Sequence, residues 1–317
     1  MQPRTRYFQI LQWAMVIAIF IFLGRILWQN WLQVREAPFA LQPFSLILST
    51  LIFVLSYFLQ VWAWYLITVK VGIAISLQET FESWFFSQLG KYLPGKVWLL
   101  LGRFHFYHSK GRSKKAISIA LYLETITMIL AAGLIFLAAL LFFEGIVPFP
   151  SGKPLGWLIA LFLAAFVLLH PRVLLKILNW ALLLFKREPV FLSISYSEIL
   201  WVLFVSLLSW AVGGIGFYLF VRSVSPVPSL SILFLTGALA FSNTLGLIAL
   251  FAPSGLGVRE GALVYLLSLT MPAPVAVVIS ILTRLWTTLI EIGLIGIVYL
   301  IVKTRKRLEG KAQDVQI

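Results

Sequence analysis

The chain has 317 residues, of which 61% are hydrophobic and 11% charged, and its mean hydropathy is +0.99. Soluble domains have about 45 to 50% apolar and about 25% charged residues, so this composition excludes a soluble protein and predicts an all-α polytopic membrane protein. The formal net charge is +14, but the basic residues lie in short clusters between apolar runs. That is the positive-inside pattern, and it excludes nucleic acid as a partner.

Six apolar runs are predicted to cross the membrane as full spans, because a bilayer core of about 30 Å needs roughly 20 apolar residues per helix. They are residues 10–28, 44–69, 116–143, 155–169, 199–221 and 275–302. The fourth run is short, and the apolar stretch 173–185 after it has basic residues at its edges, which favours a helix in the cytoplasmic interface. The basic clusters place both termini in the cytoplasm, with 306–317 as a cytoplasmic tail.

A first broken segment lies at residues 76–107. Its apolar centre contains a proline, a glycine and three basic residues: Pro94, Gly95, Lys91, Lys96 and Arg103. Proline removes a backbone donor, and backbone freed at membrane depth is tolerated only where it is buried in protein or lines a wet cavity. Because basic residues flank the segment on the cytoplasmic side, we expect a re-entrant hairpin that enters from the cytoplasm.

A second broken segment covers residues 230–269. About twenty apolar residues are followed by a break that contains Pro253, Gly255 and Gly257. Only about ten apolar residues remain before the next prolines, and ten residues cannot span a bilayer. Counting back from the cytoplasmic C-terminus, we expect this re-entrant hairpin to open toward the outside.

The order of a span, a broken hairpin and a span occurs twice, at 44–143 and at 199–302, with opposite orientations by charge. This arrangement predicts an inverted repeat within one transmembrane domain, residues 1–305, and in such transporters the binding site lies near the midplane between interrupted helices. The alternative is a chance arrangement of glycine and proline, which are common in membrane helices.

Two half-helices are predicted to begin after these breaks, near Lys96 and near Arg259. The N-terminus of a half-helix presents free N–H groups and the positive end of a dipole, so a phosphate or carboxylate is the expected guest. The alternative is a structural kink whose cations snorkel to the interface.

Glu124 and Glu291 lie within predicted spans, where an ionised group costs roughly 2.5 to 3.5 kcal/mol on insertion scales. Neither should face lipid. Arg284 lies two helical turns before Glu291 and shares its face. The expected partners are Arg103 or Lys96 for Glu124, and Arg259 or Arg284 for Glu291. Such pairs could bind a ligand or merely hold helices together.

The sequence contains no GxSxG, Walker or HExxH motif and no cysteine, so we expect no catalytic residue and no cofactor. His105 and His108 have helical spacing but no evident third ligand, so we expect no metal. Gly213, Gly214 and Gly216 are interpreted as a close helix-packing face.

Four segments resemble the motif series of the lysylphosphatidylglycerol synthase transmembrane-domain family, also called the flippase-like domain family. They are GKYLPGKVWLLLGR, LETITMIL, APSGLGVREGAL and LTRLWTTLIEIGLIG. The resemblance covers about residues 10–305, and the GxREG element with the downstream R-x6-E is its most specific part. By position, the motif residues are Lys91, Pro94, Gly95, Lys96, Arg103, Glu124, Pro253, Gly255, Gly257, Arg259, Glu260, Gly261, Arg284 and Glu291.

The resemblance implies that, in multidomain members, this membrane domain moves an aminoacylated phospholipid between leaflets. A separate soluble domain of those members makes the lipid. Here the chain ends about a dozen residues after its last span, so we expect the synthase domain to be absent and the chain not to be an enzyme. The resemblance implies a flippase or scramblase-like lipid translocase of the prokaryotic plasma membrane, for an anionic or aminoacylated phospholipid or a lipid-linked precursor.

The expected site has two groups of residues. Headgroup binding is assigned to Lys91, Lys96, Arg103, Arg259 and Arg284, and charge pairing in the cavity to Glu124, Glu260 and Glu291. The alternative function is a non-transporting membrane partner that scaffolds an enzyme modifying envelope lipids or glycans. An intramembrane transferase with a glutamate base would lack an activated nucleophile or a metal.

Overall fold

The computed structural model describes residues 21, 24–25, 28–29, 31–36, 39, 41–92, 97–142, 155–184, 186, 189, 194–225, 231–249 and 252–314. Within these ranges the fold is all-helical, without strands. The helices are α1 (Trp31–Glu36), α2 (Pro43–Lys70), α3 (Leu77–Gln88), α4 (Val97–Ser109), α5 (Lys114–Phe142), α6 (Leu155–Leu168), α7 (Pro171–Leu184), α8 (Tyr196–Val224), α9 (Ile232–Ile248), α10 (Val258–Leu267) and α11 (Ala273–Asp314). Two 3₁₀ turns lie between helices, a first turn at Leu89–Tyr92 and a second turn at Pro253–Gly255.

Four described helices are long and apolar enough to cross a membrane, namely α2, α5, α8 and α11. They correspond to the predicted spans 44–69, 116–143, 199–221 and 275–302, whose existence as long helices is confirmed. The predicted first span, 10–28, lies mostly outside the described residues. Helix α6 has only 14 residues, and with α7, from which it is bent by 75°, it gives at most a fifth span.

The centre of the bundle is the contact between α2 and α8, the most extensive between any two described helices. Small residues allow the two backbones to approach: a Cβ on Gly216 would lie 3.2 Å from the Ser49 carbonyl oxygen, and one on Gly213 would lie 3.4 Å from the Ser56 hydroxyl. The Ser209 hydroxyl also donates to the Ser56 carbonyl at 3.0 Å. The glycine cluster is therefore a helix-packing face, as predicted.

Polar contacts at the two ends of the bundle show the relative direction of α2 and α8. At one end, Lys70 at the end of α2 pairs with Glu198 at the start of α8 at 2.7 Å. At the other end, the Gln42 N–H donates to the Ser223 carbonyl at 2.8 Å. Helices α2 and α8 are therefore antiparallel.

Two helical hairpins pack among these long helices. In the first hairpin, α3 and α4 flank the first turn and contact each other, and in the second hairpin α9 and α10 do so around the second turn. A serine-glutamate capping box begins α3, where the Glu79 backbone N–H donates to the Ser76 hydroxyl at 3.2 Å. The order of a long helix, a short helix, a 3₁₀ turn, a short helix and a long helix thus occurs twice along the chain.

Candidate functional site

The two 3₁₀ turns contact each other, so the interruptions of the two hairpins lie side by side. In the second turn Ser254 and Gly255 have φ of 52° and 68°, in the left-handed region that favours glycine. A Cβ on Gly255 would lie 2.7 Å from the Gly246 carbonyl oxygen. Local backbone geometry therefore requires this break to fold tightly against the end of α9.

Arg284 of α11 holds the second turn in place. Its NH2 group donates to the Ser254 hydroxyl at 2.7 Å, and its Nε lies 3.7 Å from Glu260 Oε1. The other carboxylate oxygen of Glu260 accepts the backbone N–H of Gly257 at 2.6 Å, which caps the start of α10. Glu260 therefore accepts a hydrogen bond from one of the free N–H groups at the start of this half-helix, where the sequence predicts a bound anion.

Lys91, in the first turn, forms an ion pair with Glu291 of α11, and the Tyr57 hydroxyl lies 3.5 Å from the same carboxylate oxygen. The predicted partners of Glu291 were Arg259 or Arg284, and that prediction is wrong. Arg284 is directed to Ser254 and Glu260, and contact between the two turns brings Lys91 to Glu291 instead. Glu291 is 2% exposed, behind a lysine side chain that is 26% exposed.

Arg259 differs from these cations because it has no ion-pair partner among the described residues. Its side chain is half-buried, and no carboxylate of the described ranges lies within 4.0 Å of it. It nevertheless lies within electrostatic range of Arg284, Glu260 and Glu291. We name the five residues Lys91, Arg259, Glu260, Arg284 and Glu291 the central charge cluster.

Two carboxylate oxygens of the cluster are buried without a hydrogen-bond donor among the described residues, Glu260 Oε1 and Glu291 Oε1. Both side chains are 2% exposed. A buried polar atom without a partner costs about 1 to 3 kcal/mol, and more when it is charged. Such atoms in a native protein point to a missing donor.

Arg103 and Glu124 form a second ion pair, between α4 and α5, which confirms one of the two partners predicted for Glu124. The Arg103 Nε donates to the Ser87 hydroxyl at 3.1 Å, and its guanidinium lies 4.6 Å from the centre of the Trp64 ring. The Trp84 indole N–H donates to the other Glu124 oxygen at 3.2 Å. Arg103 is 1% exposed and is enclosed by protein, whereas the Glu124 side chain is 15% exposed.

Aromatic residues connect the two ion pairs. The rings of Tyr57 and Trp84 meet edge to face, with their centres 5.9 Å apart. The Tyr57 hydroxyl contacts the Glu291 carboxylate, and the Trp84 indole contacts the Glu124 carboxylate. On the far side of Arg103, the Trp64 indole donates to the Tyr107 hydroxyl at 2.8 Å. The Tyr57–Trp84 ring contact therefore links the central charge cluster to the Arg103–Glu124 pair.

The structure thus brings most of the predicted site residues into two neighbouring groups. Pro94, Gly95 and Lys96 lie outside the described residues, and the headgroup-binding roles assigned to the basic residues stay predictions. Sequence reasoning missed Tyr57 and Ser254. Tyr57 carries a signal, because it is a hydroxyl in the middle of an apolar span, whereas the role of Ser254 depends on the fold of the second turn.

In the described part of the chain, no group of three or more His, Asp or Glu side chains is placed to hold a metal ion. The ionisable chemistry of the site consists of guanidinium, ammonium and carboxylate groups. These groups can bind a phosphate and hydrogen-bond donors.

Comparison with known proteins gives one informative result. No curated protein matches the chain significantly. Residues 15–296 match the family described as Lysylphosphatidylglycerol synthase TM region. The match covers most of the 317 residues and includes both hairpins. It confirms the resemblance drawn from the motifs, and the chain belongs to the lysylphosphatidylglycerol synthase transmembrane-region family.

Proposed function

We propose that this protein is a lipid translocase of the flippase or scramblase type, which moves an anionic or aminoacylated phospholipid, or a lipid-linked precursor, between membrane leaflets. The observation that carries the proposal is the central charge cluster. Lys91 from the first hairpin and Arg259 from the second lie beside α11 between long apolar helices. Placing an ionisable group at membrane depth costs free energy, and such groups mark substrate paths in membrane proteins.

The architecture in this proposal is an inverted repeat of units 44–143 and 199–302, with re-entrant hairpins that enter from opposite sides. Both units have the same order of elements, and a site between interrupted helices is typical of such transporters. Basic residues at the Lys70 end of the bundle support a cytoplasmic position for that end and for both termini. We place the protein in the prokaryotic plasma membrane.

In this mechanism Arg259 binds the phosphate of the headgroup first. Its guanidinium has no carboxylate within ion-pair distance in the described ranges, so a phosphate can bind without first breaking an ion pair. A guanidinium can also hold phosphate oxygens through two parallel hydrogen bonds. The headgroup would pass the cluster while the acyl chains stay in the bilayer.

The test is headgroup movement in vesicles that contain the purified protein and acyl-labelled phosphatidylglycerol. Removing Arg259 deprives no carboxylate of the described ranges of an ion-pair partner, so Arg259→Ala should fold. Loss of a charge-assisted hydrogen bond should slow movement about tenfold or more. The matched control is Arg222→Ala, which removes an exposed arginine near the end of α8, where it contacts Tyr218, and should leave the rate unchanged.

Two outcomes would count against the proposal. A folded Arg259→Ala protein that moves lipid as fast as the parent would remove the central charge cluster from the mechanism. No movement by the parent, together with stoichiometric co-purification of an enzyme that modifies lipids or glycans, would favour the scaffold function.

A further inference from the structure

Glu260 Oε1, which lies 3.7 Å from Arg284 Nε, and Glu291 Oε1 lack a hydrogen-bond donor among the described residues, and they restrict the chemistry of the guest. Each belongs to a carboxylate that is 2% exposed, and each lacks a donor among the described residues. Their neighbouring oxygens already accept from the Gly257 N–H and from Lys91, respectively. The bound guest should therefore supply hydrogen-bond donors as well as an anion.

The charge of the cluster decides which kind of donor fits. The described cluster has three cations, Lys91, Arg259 and Arg284, against two carboxylates, a surplus of one positive charge. A singly charged phosphodiester would neutralise this surplus. An ammonium group would add a positive charge among three others, where like charges at low dielectric repel strongly.

We infer that the central charge cluster recognises a lipid headgroup that combines a phosphodiester anion with neutral hydroxyl donors, as in a glycerol phosphate or a sugar phosphate. The hydroxyl groups donate to Glu260 Oε1 and Glu291 Oε1, and the phosphodiester binds Arg259. This deepens the proposed function and rests on it, because it takes the cluster to be the headgroup site. It selects a hydroxylated anionic lipid over an aminoacylated one.

The experiment compares phosphodiester lipids with and without headgroup hydroxyl groups, by measuring their binding to the purified protein in detergent with native mass spectrometry. The first pair is phosphatidylglycerol and phosphatidylethanol, which share the phosphodiester. The second pair is a prenyl phosphohexose and the ethyl diester of the same prenyl phosphate. Phosphatidylethanolamine supplies an ammonium donor instead.

We expect the hydroxylated member of at least one pair to bind about tenfold more tightly or better, since a hydroxyl would satisfy a buried charged acceptor. The preferred pair identifies the lipid backbone. Phosphatidylethanolamine should bind more weakly than phosphatidylethanol. Equal binding within both pairs, or tighter binding of phosphatidylethanolamine, would overturn the inference. These measurements need no transport, so a protein that moves no lipid would fail the proposed function and still report headgroup preference.

A charge-neutral double substitution locates the preference. Lys91→Met with Glu291→Leu removes one unpartnered oxygen and keeps the net charge of the cluster, so the hydroxyl preference should fall while binding of phosphatidylethanol persists. The control is Lys70→Met with Glu198→Leu, which removes the ion pair at the end of α2 and should keep the preference. An undiminished preference in the cluster variant would contradict the role of Glu291. If that variant does not fold, the comparison of lipids on the parent protein still decides the inference.

Discussion

The ionisable side chains of the candidate site fall into two groups, which differ in how far their hydrogen-bonding capacity is satisfied. The Arg103–Glu124 pair is closed, because Ser87, Trp84 and Trp64 surround it with donors, acceptors and an aromatic face. The central charge cluster is open, because two carboxylate oxygens lack donors and Arg259 lacks a carboxylate in the described ranges. A fully satisfied network gives rigidity. The open cluster is therefore the better candidate for a ligand.

Arg103→Met tests whether the closed pair holds the first hairpin in place. The substitution leaves Glu124, whose side chain is 15% exposed, with only the Trp84 indole. Breaking a buried ion pair costs about 3 to 5 kcal/mol, which is the upper bound for this largely buried pair. We expect a large fall in the free energy of unfolding, measured by denaturant titration of the protein in detergent.

The control for that prediction is an exposed ion pair of the same hairpin. Lys110 pairs with Glu79 at 2.6 Å, and the two side chains are 39% and 28% exposed. Lys110→Met should therefore cost no more than about 1 kcal/mol. Equal losses in the two variants would show that burial does not make the Arg103–Glu124 pair special.

At the scale of elements, the first hairpin depends on one close approach of backbone. Gly90 lies in the first turn, and a Cβ there would lie 2.5 Å from the backbone of Trp98 and Leu99 in α4. No side-chain rotation can relieve such a contact, because the opposing atoms belong to the backbone. The residue therefore fixes how closely α4 returns against the turn that carries Lys91.

Gly90→Ala should force the hairpin open and displace Lys91 from Glu291. We expect overpacking to cost at least about 1 to 3 kcal/mol in the free energy of unfolding, and lipid movement in vesicles to fall with it. Gly102→Ala is the matched control in α4, because its Cβ would meet nothing closer than the Ser87 Cα at 3.8 Å. That variant should be neutral or more stable by up to about 1 kcal/mol. The reverse order of stability would contradict this view of the turn.

Much of this arrangement could be predicted from the sequence, because hydropathy and helix breakers act locally. The four long helices follow from apolar runs, and the second turn lies where Pro253 and Gly255 interrupt one. The partner of Glu291 could not be predicted, because Lys91 is 200 residues away along the chain and meets it only through contact between the two turns.

At the scale of the whole molecule, α11 contributes Arg284 and Glu291 to the central charge cluster and contacts both hairpins. At about 1.5 Å per residue, Arg284 lies about 16 Å and Glu291 about 27 Å along the axis from the start of the helix at Ala273. Both residues lie within the 33-residue apolar stretch Ala273–Arg305, which is long enough to cross a membrane. Arg284 fixes the second turn, Glu291 pairs with the first, and one helix therefore sets the spacing between the two hairpins.

The orientation of the two halves gives a prediction for the whole chain. Lys114 begins α5 after the first hairpin, and Pro272 lies between the second hairpin and α11; both are exposed. If the hairpins enter from opposite sides, Lys114→Cys should react with a membrane-impermeant maleimide only from the cytoplasm, and Pro272→Cys only from outside. The parent chain has no cysteine, so labelling has no background, and permeabilised cells supply the positive control. Reaction of the Pro272→Cys protein only from the cytoplasm would contradict the inverted repeat, because both hairpins would then open to one side.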